Sequence, residues 1–379
     1  MKSLKVVSQF GIHILIAAMF ILPLAAGFAS PASADAGNFP GAVYTITNAA
    51  AGNEVLVYNR AGDGTLTFGG AYATGGLGSG NGLGSQEALA LSQNKRWLFA
   101  VNAGSNDISV FAVKKNGLKL MDVVASGGER PISLTLRDNL LYVLNAGGSG
   151  NIAGFRFDGR GSLSPLAGST RHLSNHGVGA APGPAQISFD PDGRVLVVTE
   201  KASNLIVTYQ VEDGLAGPPV NHASSGATPF GFAFDRRGRL VVSEAFGGAP
   251  GASALSSYFV HEETFELISP TVGTTQTAAC WVVISKNGKY AYTTNTGSSS
   301  ISSYRIGKDG SLTLLDAAAG LTGAGSSPID MALSRDGRFV YALSGGTQTI
   351  SAFRVMADGS LVSLGEVSVP AGAVGLAAR

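Results

Sequence analysis

Two glutamates, Glu200 and Glu244, occupy equivalent positions, each at the end of an apolar run typical of a β-strand. Two carboxylates on neighbouring elements can act as a general acid and base, or they can bind a cation. The alternative is structural, because each carboxylate could instead accept hydrogen bonds from the backbone of the loop that follows. Lys201 directly follows Glu200 and could pair with it. We predict Glu200 and Glu244 as the catalytic candidates of this chain.

The only cysteine, Cys280, directly precedes Trp281, one of the two tryptophans. A thiolate nucleophile needs a neighbouring base or cation, and the sequence places no histidine at a matching position. We therefore expect Cys280 to act as a small apolar residue of the core. The indole of Trp281 either closes a channel or offers a stacking face to a ligand, and the sequence leaves both open.

Seven copies of a four-stranded unit position these residues. Each copy contains two apolar strands around a turn, as in "PAQISFDPDGRVLVVTE" and "PIDMALSRDGRFVYALS". The Asp-Gly or Asn-Gly at the turn tolerates the positive φ angles of a two-residue hairpin. The second strands end about 43–55 residues apart, a period typical of β-propellers. The sequence predicts an all-β fold, a seven-bladed β-propeller of four-stranded antiparallel blades.

The two ends of the repeat region favour a closed ring. The first copy begins with its second strand, "AVYTITN" from Ala42, whereas the last copy is followed by a surplus strand, "GAVGLAAR" from Gly372. If the C-terminal strand completes the first blade, no strand edge stays open at the seam. An open solenoid of seven units is the alternative.

One mouth of the central channel is the predicted ligand site. In a propeller the starts of the inner strands and the ends of the second strands meet there, and such a mouth is concave and lined by many loops. Glu200 and Glu244 belong to this rim, and the inner-strand starts also supply Gln86 and Glu87. The predicted ligand-contacting residues are Trp281, Phe230, Gln186, Lys201, Arg130 and Asp330.

The first 34 residues have the pattern of a cleavable signal peptide. Lys2 and Lys5 precede an apolar run, and Ala32-Ser33-Ala34 places small residues where a signal peptidase cleaves. An uncleaved membrane anchor is the alternative. We predict a signal peptide over 1–34, a single propeller domain over 35–379, and export to the periplasm or the cell exterior, with no transmembrane segment after cleavage.

Composition narrows the range of partners. The chain has 26 Lys and Arg against 25 Asp and Glu, so it lacks the net positive charge that nucleic acids or anionic membranes attract. His172 and His176 share a connection rich in Gly and Pro, which argues against a metal site on a helix. We expect no metal, no cofactor, no nucleic acid and a monomer, with a small molecule or an envelope protein or glycan as partner.

The repeats resemble the lactonase-type seven-bladed propellers, a family that includes 6-phosphogluconolactonases and carboxymuconate lactonizing enzymes. The resemblance covers nearly the whole chain after the signal peptide and is clearest in "PIDMALSRDGRFVYALSGGTQTISAFRVMADGSL". It implies a site on the predicted rim with a histidine and an arginine at inner-strand starts and a glutamate near the end of a second strand. Here Ala185 and Phe230 stand in the places of the histidine and the arginine, and Glu244 lies close to the place of the glutamate.

Two functions remain open at this point. In the first, an exported lactonase-like propeller hydrolyses or binds a small neutral or aromatic lactone or ester at the mouth, with Glu200 or Glu244 as general base. Trp281 and Phe230 would then form a platform for the ligand. In the second, the chain keeps the scaffold without catalysis and binds a ligand, glycan or protein at the cell envelope. Fold-level likeness alone does not choose between them.

Overall fold

The computed structural model describes residues 39–379, so the predicted signal peptide over 1–34 lies outside the described residues. Strands with apolar residues on their buried faces form seven separate sheets. Blade 1 contains β1 (Gly41–Ile46), β2 (Glu54–Arg60), β3 (Leu66–Ala73) and the C-terminal β30 (Val374–Ala378). Blade 2 contains β4 (Leu89–Leu91), β5 (Trp97–Asn102), β6 (Asp107–Lys114) and β7 (Gly117–Ala125).

Blades 3 and 4 each divide their outer strand into two short pieces. Blade 3 contains β8 (Pro131–Arg137), β9 (Leu140–Asn145), β10 (Asn151–Phe157), β11 (Leu163–Pro165) and β12 (Arg171–His172). Blade 4 contains β13 (Pro184–Phe189), β14 (Val195–Glu200), β15 (Leu205–Glu212), β16 (Leu215–Ala216) and β17 (Val220–Ala223).

The last three blades have four strands each. Blade 5 contains β18 (Pro229–Phe234), β19 (Arg239–Glu244), β20 (Ala254–His261) and β21 (Thr264–Gly273), with a 3-10 turn at Phe246–Gly248. Blade 6 contains β22 (Ala279–Ile284), β23 (Tyr290–Asn295), β24 (Ser300–Ile306) and β25 (Leu312–Leu321). Blade 7 contains β26 (Pro328–Leu333), β27 (Phe339–Ser344), β28 (Thr349–Val355) and β29 (Leu361–Ser368). Among residues 39–379 no helix is long and apolar enough to span a membrane.

The ring is closed, as the sequence predicts. Each inner strand contacts the inner strands on either side of it, in the order β30, β4, β8, β13, β18, β22, β26 and back to β30. At the seam, β30 pairs antiparallel with β1, with Val43 opposite Ala378. The N–H of Arg379 donates to the carbonyl of Ala42 at 2.9 Å. The prediction of a seven-bladed propeller with its C-terminal strand in blade 1 is confirmed.

Buried tyrosines tie each of several blades to its neighbour. Tyr142, Tyr292 and Tyr341 lie on the second strands of blades 3, 6 and 7 and have no more than 1% of their surface exposed. The hydroxyl of each donates to a glycine carbonyl in an outer turn of the next blade, at 2.9 Å in every case. A buried ring with a satisfied polar end adds both apolar contact area and a specific orientation between blades.

The turns between the first and second strands differ from the two-residue hairpins expected from sequence. In "DPDGR" only the glycine adopts positive φ, with Gly193 at 75°. The N–H of Asp190 donates to the carbonyl of Val195 at 2.8 Å, so four residues lie in the loop. The side chain of Asp190 accepts the N–H groups of Arg194 and Val195, which stabilises the longer turn. The expectation of a two-residue turn was wrong at this position because a side chain, and not a second positive φ, reverses the chain.

Candidate functional site

The predicted mouth of the channel is covered by a segment of blade 2 that we call the cap, residues 83–87. Trp281 has 3% of its surface exposed, and its indole N–H donates to the carbonyl of Ser85 at 3.0 Å. The Gln86 side chain accepts the N–H of Val282 at 3.2 Å and donates to its carbonyl at 3.1 Å. The cap therefore crosses the channel from blade 2 to blade 6, and Trp281 closes the mouth.

Two further blades hold the cap in place. The Ser85 hydroxyl donates to the carbonyl of Ile132 in blade 3 at 2.7 Å, and the N–H of Gln86 donates to the carbonyl of Ala185 in blade 4 at 3.2 Å. The ammonium of Lys201 donates to the carbonyl of Gly84 at 2.6 Å. These hydrogen bonds satisfy backbone groups that the closed mouth removes from water.

Glu200 is fully buried, with 0% of its surface exposed. Its Oε1 accepts the N–H of Ser174 at 3.0 Å. Its Oε2 accepts the hydroxyl of Ser203 at 2.8 Å and that of Ser174 as well. These contacts anchor the connection between β12 and β13. Glu200 thus accepts hydrogen bonds from nearby loops, which is the structural role that the sequence left open for it. Its catalytic role stays a prediction.

Glu244 has the same kind of environment. It is also 0% exposed, its Oε1 accepts the N–H of Gly226 at 2.7 Å, and its Oε2 accepts the Thr271 hydroxyl at 2.9 Å. Burial raises the pKa of this carboxyl above its ordinary value. Neither Glu244 nor Glu200 lines the central channel, so the structure does not bring the two carboxylates together on an open surface.

Lys201, Phe230 and Trp281 do lie together at the covered rim. The rings of Phe230 and Trp281 have centroids 5.0 Å apart, and the Lys201 ammonium lies 4.5 Å from the Phe230 centroid. Burial lowers the pKa of Lys201 to about 8. Lys201 pairs with the cap and the Phe230 ring rather than with Glu200. Arg130 reaches the same loop, where its guanidinium donates to the carbonyl of Gly82 at 3.4 Å.

Cys280 behaves as an apolar residue. It has 5% of its surface exposed and packs in one cluster with Trp281, Tyr292 and Met331. Burial raises the pKa of the thiol to about 11, so the thiol is protonated at neutral pH and is a poor nucleophile. The geometry agrees with the core role expected from the sequence.

The other predicted ligand contacts, Gln186 and Asp330, are almost fully buried, each with 1% exposed. The Gln186 amide bonds both the N–H and the carbonyl of Phe232, at 2.7 and 3.0 Å, and so joins blades 4 and 5. Oδ1 of Asp330 accepts the N–H of Met331 at 2.7 Å, whereas its Oδ2 is buried without a hydrogen-bond partner. Burial raises the pKa of Asp330 well above its ordinary value, and the nearby Glu87 carboxyl adds to this effect.

The central channel is open at the end opposite the cap. It holds a cavity of about 540 Å³, lined by the inner strands and by the turns that follow them. Its walls combine apolar side chains, such as Leu89, Leu134 and Phe232, with polar and charged ones, such as Lys95 and Arg236. Gln86 and Glu87 form its closed end. The concave surface that a ligand can enter is therefore at the other end of the channel from the predicted one.

Glu87 is an acidic residue at the closed end; the sequence placed it on the rim, but we did not predict it as a catalytic or ligand-contacting residue. Its backbone adopts a φ of 63°, in the left-handed region. Burial raises the pKa of Glu87 to about 8, and Oε2 is buried without a hydrogen-bond partner. A sequence signal was present, since blade 2 has Gln86-Glu87 where most blades begin their inner strand with proline. Within residues 39–379 no three His, Cys, Asp or Glu side chains cluster closely enough to hold a metal.

A closed ring of seven blades around a central channel defines a seven-bladed β-propeller. A model of the family described as "Lactonase, 7-bladed beta-propeller" matches residues 42–172, 149–245 and 249–375. The chain belongs to this family, as the resemblance in its repeats implies.

Solved structures agree with this fold. A periplasmic gluconolactonase from Pseudomonas aeruginosa aligns with a TM-score of 0.66 at 17% identity, over 88% of this chain and 98% of its own. A candidate 6-phosphogluconolactonase from Bacteroides uniformis gives a TM-score of 0.69 at 16% identity, over 89% of this chain and 99% of its own. No curated protein sequence gives a significant match. These structural similarities establish the fold. At sequence identities this low they do not establish the reaction, which has to be argued from the residues of the site.

Proposed function

We propose that this chain is an exported lactonase-like hydrolase that binds a small neutral or aromatic lactone or ester in the central channel. The ligand enters from the end opposite the cap. The observation that carries the proposal is Glu87, which lies at the closed end of the cavity with one carboxyl oxygen free of hydrogen bonds. Membership of the lactonase family supports the reaction class.

The chemistry required of Glu87 is that of a general base. Its ionised carboxylate takes a proton from a water molecule as the water oxygen attacks the carbonyl carbon. The ring C–O bond then breaks, and the leaving oxygen receives the proton, which gives the open hydroxy acid. A pKa of about 8 places the proton acceptor close to neutral pH, where proton transfer in both directions is efficient. The apolar side chains in the cavity wall, among them Leu134 and Phe232, can contact the ring of a lactone.

Turnover of a lactone panel tests this proposal. We expect wild-type protein to hydrolyse at least one of δ-valerolactone, dihydrocoumarin and p-nitrophenyl acetate, with a rate that rises as pH approaches about 8 and Glu87 ionises. Glu87→Gln should lower kcat by about 10²–10⁴-fold, the contribution typical of a general base. The matched control is Glu366→Gln, which removes an exposed carboxylate of β29 outside the channel and should leave kcat within about threefold. Equal loss in both variants would remove the special role of Glu87.

The second candidate is a binding scaffold without catalysis. It is favoured by the structural hydrogen bonds that both carboxyl oxygens of Glu200 and of Glu244 accept, and by Ala185 and Phe230 at positions where the family resemblance implies a histidine and an arginine. In this case a protein or glycan of the cell envelope is the partner. Absence of turnover on every lactone and ester, together with saturable binding of such a partner, would select this candidate.

A further inference from the structure

The turns that encircle the open end of the channel concentrate the basic residues of the chain. These turns join the first and second strands of blades 2 to 7 and read QNKR, RDN, DPDGR, DRRGR, KNGK and RDGR. They contain eleven Lys and Arg against five Asp, although the whole chain has 26 basic and 25 acidic side chains. The balanced overall charge therefore conceals a positive ring at one end of the molecule.

The acidic residues of these turns are mostly committed to the turns themselves. Asp190 is 2% exposed and accepts two backbone N–H groups of its own loop. Asp235 is 5% exposed and pairs with Arg239, whose Nε donates to it at 2.6 Å. Asp336 pairs with Arg338 at 2.9 Å. Little negative charge is left to compensate the other cations.

Seven of the eleven basic side chains have no acidic partner. Among the described residues, no carboxylate lies within 4.0 Å of Lys95, Arg96, Arg236, Arg237, Lys286, Lys289 or Arg335. Lys95 and Arg236 line the channel itself. The pKa of Lys95 is lowered, mainly by burial and further by the positive charge of Arg335. Two cationic side chains without an acidic partner thus line one concave opening, where a bound anion would reduce their mutual repulsion.

We propose that the open end of the channel binds a small multivalent anion, a di- or tricarboxylate or a phosphate ester, between Lys95 and Arg236. A small-molecule anion fits this site better than a large partner with an extended anionic surface does. The reason is that Lys95 and Arg236 line a cavity of about 540 Å³ and do not lie on a flat face. The site is at the entrance of the channel and is separate from Glu87 at its closed end, so the anion would bind whether or not Glu87 is catalytic.

Calorimetric titration of full-length protein with citrate and with inorganic pyrophosphate tests the proposal. We expect saturable one-to-one binding of at least one of them, weakened by added salt, and no binding of glucose as a neutral probe. The double variant Lys95→Gln/Arg236→Gln should weaken binding by about tenfold or more, as expected for loss of two charge-assisted contacts. The control Lys115→Gln/Lys119→Gln removes the same charge from an exposed edge of blade 2 and should change the affinity by less than about twofold.

Three results would overturn the proposal. They are no saturable binding of either anion, equal weakening in the control variant, and binding only to vesicles of anionic phospholipid with none to the soluble anions. Because binding is measured without turnover, hydrolysis of a lactone by a protein that binds neither anion would refute this site and leave the proposed function standing. Anion binding by a protein that hydrolyses no lactone would support this site and refute the proposed function.

Discussion

Glu87 and Glu244 are both carboxylic acids whose pKa burial raises, but their hydrogen-bond partners differ. The two oxygens of Glu244 accept a backbone N–H and a hydroxyl, so its carboxylate is part of the framework of blade 5. Oε2 of Glu87 has no such partner. Burial of the Glu87 carboxyl therefore destabilises the fold, and no hydrogen bond to Oε2 compensates for this. Buried acids of this kind are common at functional sites.

Replacement of Glu87 by glutamine should change how stability depends on pH. The pKa of Glu87 is about 8 in the folded protein against an ordinary value of 4.5, so between these values the unfolded chain ionises while the folded protein stays protonated. The free energy of unfolding of wild type therefore falls as pH rises from about 4.5 to 8 and then levels off. Relative to wild type, Glu87→Gln should gain stability across this window, by at most about 1.4 kcal/mol per pH unit. Urea denaturation at pH 5, 6.5 and 8 measures this, and a constant difference at all three would contradict it.

Residue types alone predicted some of these roles and not others. The core role of Cys280 follows from a lone thiol without a basic neighbour, and its 5% exposure agrees. The environment of Glu200 did not follow, since its carboxylate is occupied by Ser174, a residue in a glycine-rich connection 26 positions earlier. Loop side chains of this kind carry no periodic pattern, so their contacts cannot be predicted from the sequence.

Among the elements, the cap decides which end of the channel is open. Its contacts with Trp281 and Val282 join positions 196 residues apart in sequence. The sequence left the role of Trp281 open between closing the channel and stacking on a ligand; in the structure the indole is buried against the cap, and its contact with a ligand stays a prediction. What the sequence could not predict was the cap, because "GGLGSGNGLGSQ" has no apolar periodicity to place it over the mouth.

Truncation of Trp281 should destabilise the protein strongly. Trp281→Ala removes a buried indole and its hydrogen bond to Ser85, and we expect a loss of about 3–5 kcal/mol in the free energy of unfolding. Trp281→Phe retains most of the apolar contact and should cost clearly less. Chemical denaturation of both variants measures the difference. If Trp281→Ala unfolded within about 1 kcal/mol of wild type, the cap would not depend on the indole.

For the whole molecule, the closed ring was the most predictable feature, because seven similar copies repeat one alternation pattern and the two ends of the repeat region complement each other. The position of the positive ring was not predicted. The totals of 26 basic and 25 acidic residues do not show where on the molecule the charges lie. The cations come together only because the fold places the turns around one end of the channel.

Removal of the closing strand tests the ring. A chain that ends at Pro370 lacks β30 and leaves the edge of β1 unpaired, so we expect loss of cooperative thermal unfolding and a tendency to associate through that edge. Addition of a peptide spanning 371–379 should restore part of the stability by pairing with Val43 and its neighbours. A chain lacking only Arg379 is the control and should unfold close to wild type. Unchanged melting of the longer truncation would show that the seam does not hold the ring.

Thiol labelling at the two ends of the channel tests the central claim most directly. Native Cys280 reports on the covered mouth, and Ser188→Cys in a Cys280→Ala background reports on the channel wall near the open end. We predict that a small thiol reagent labels the introduced thiol of the folded variant at least about 100-fold faster than it labels Cys280 of wild type, while both react readily after unfolding. Rapid labelling of native Cys280, with the introduced thiol at position 188 unreactive, would contradict the account.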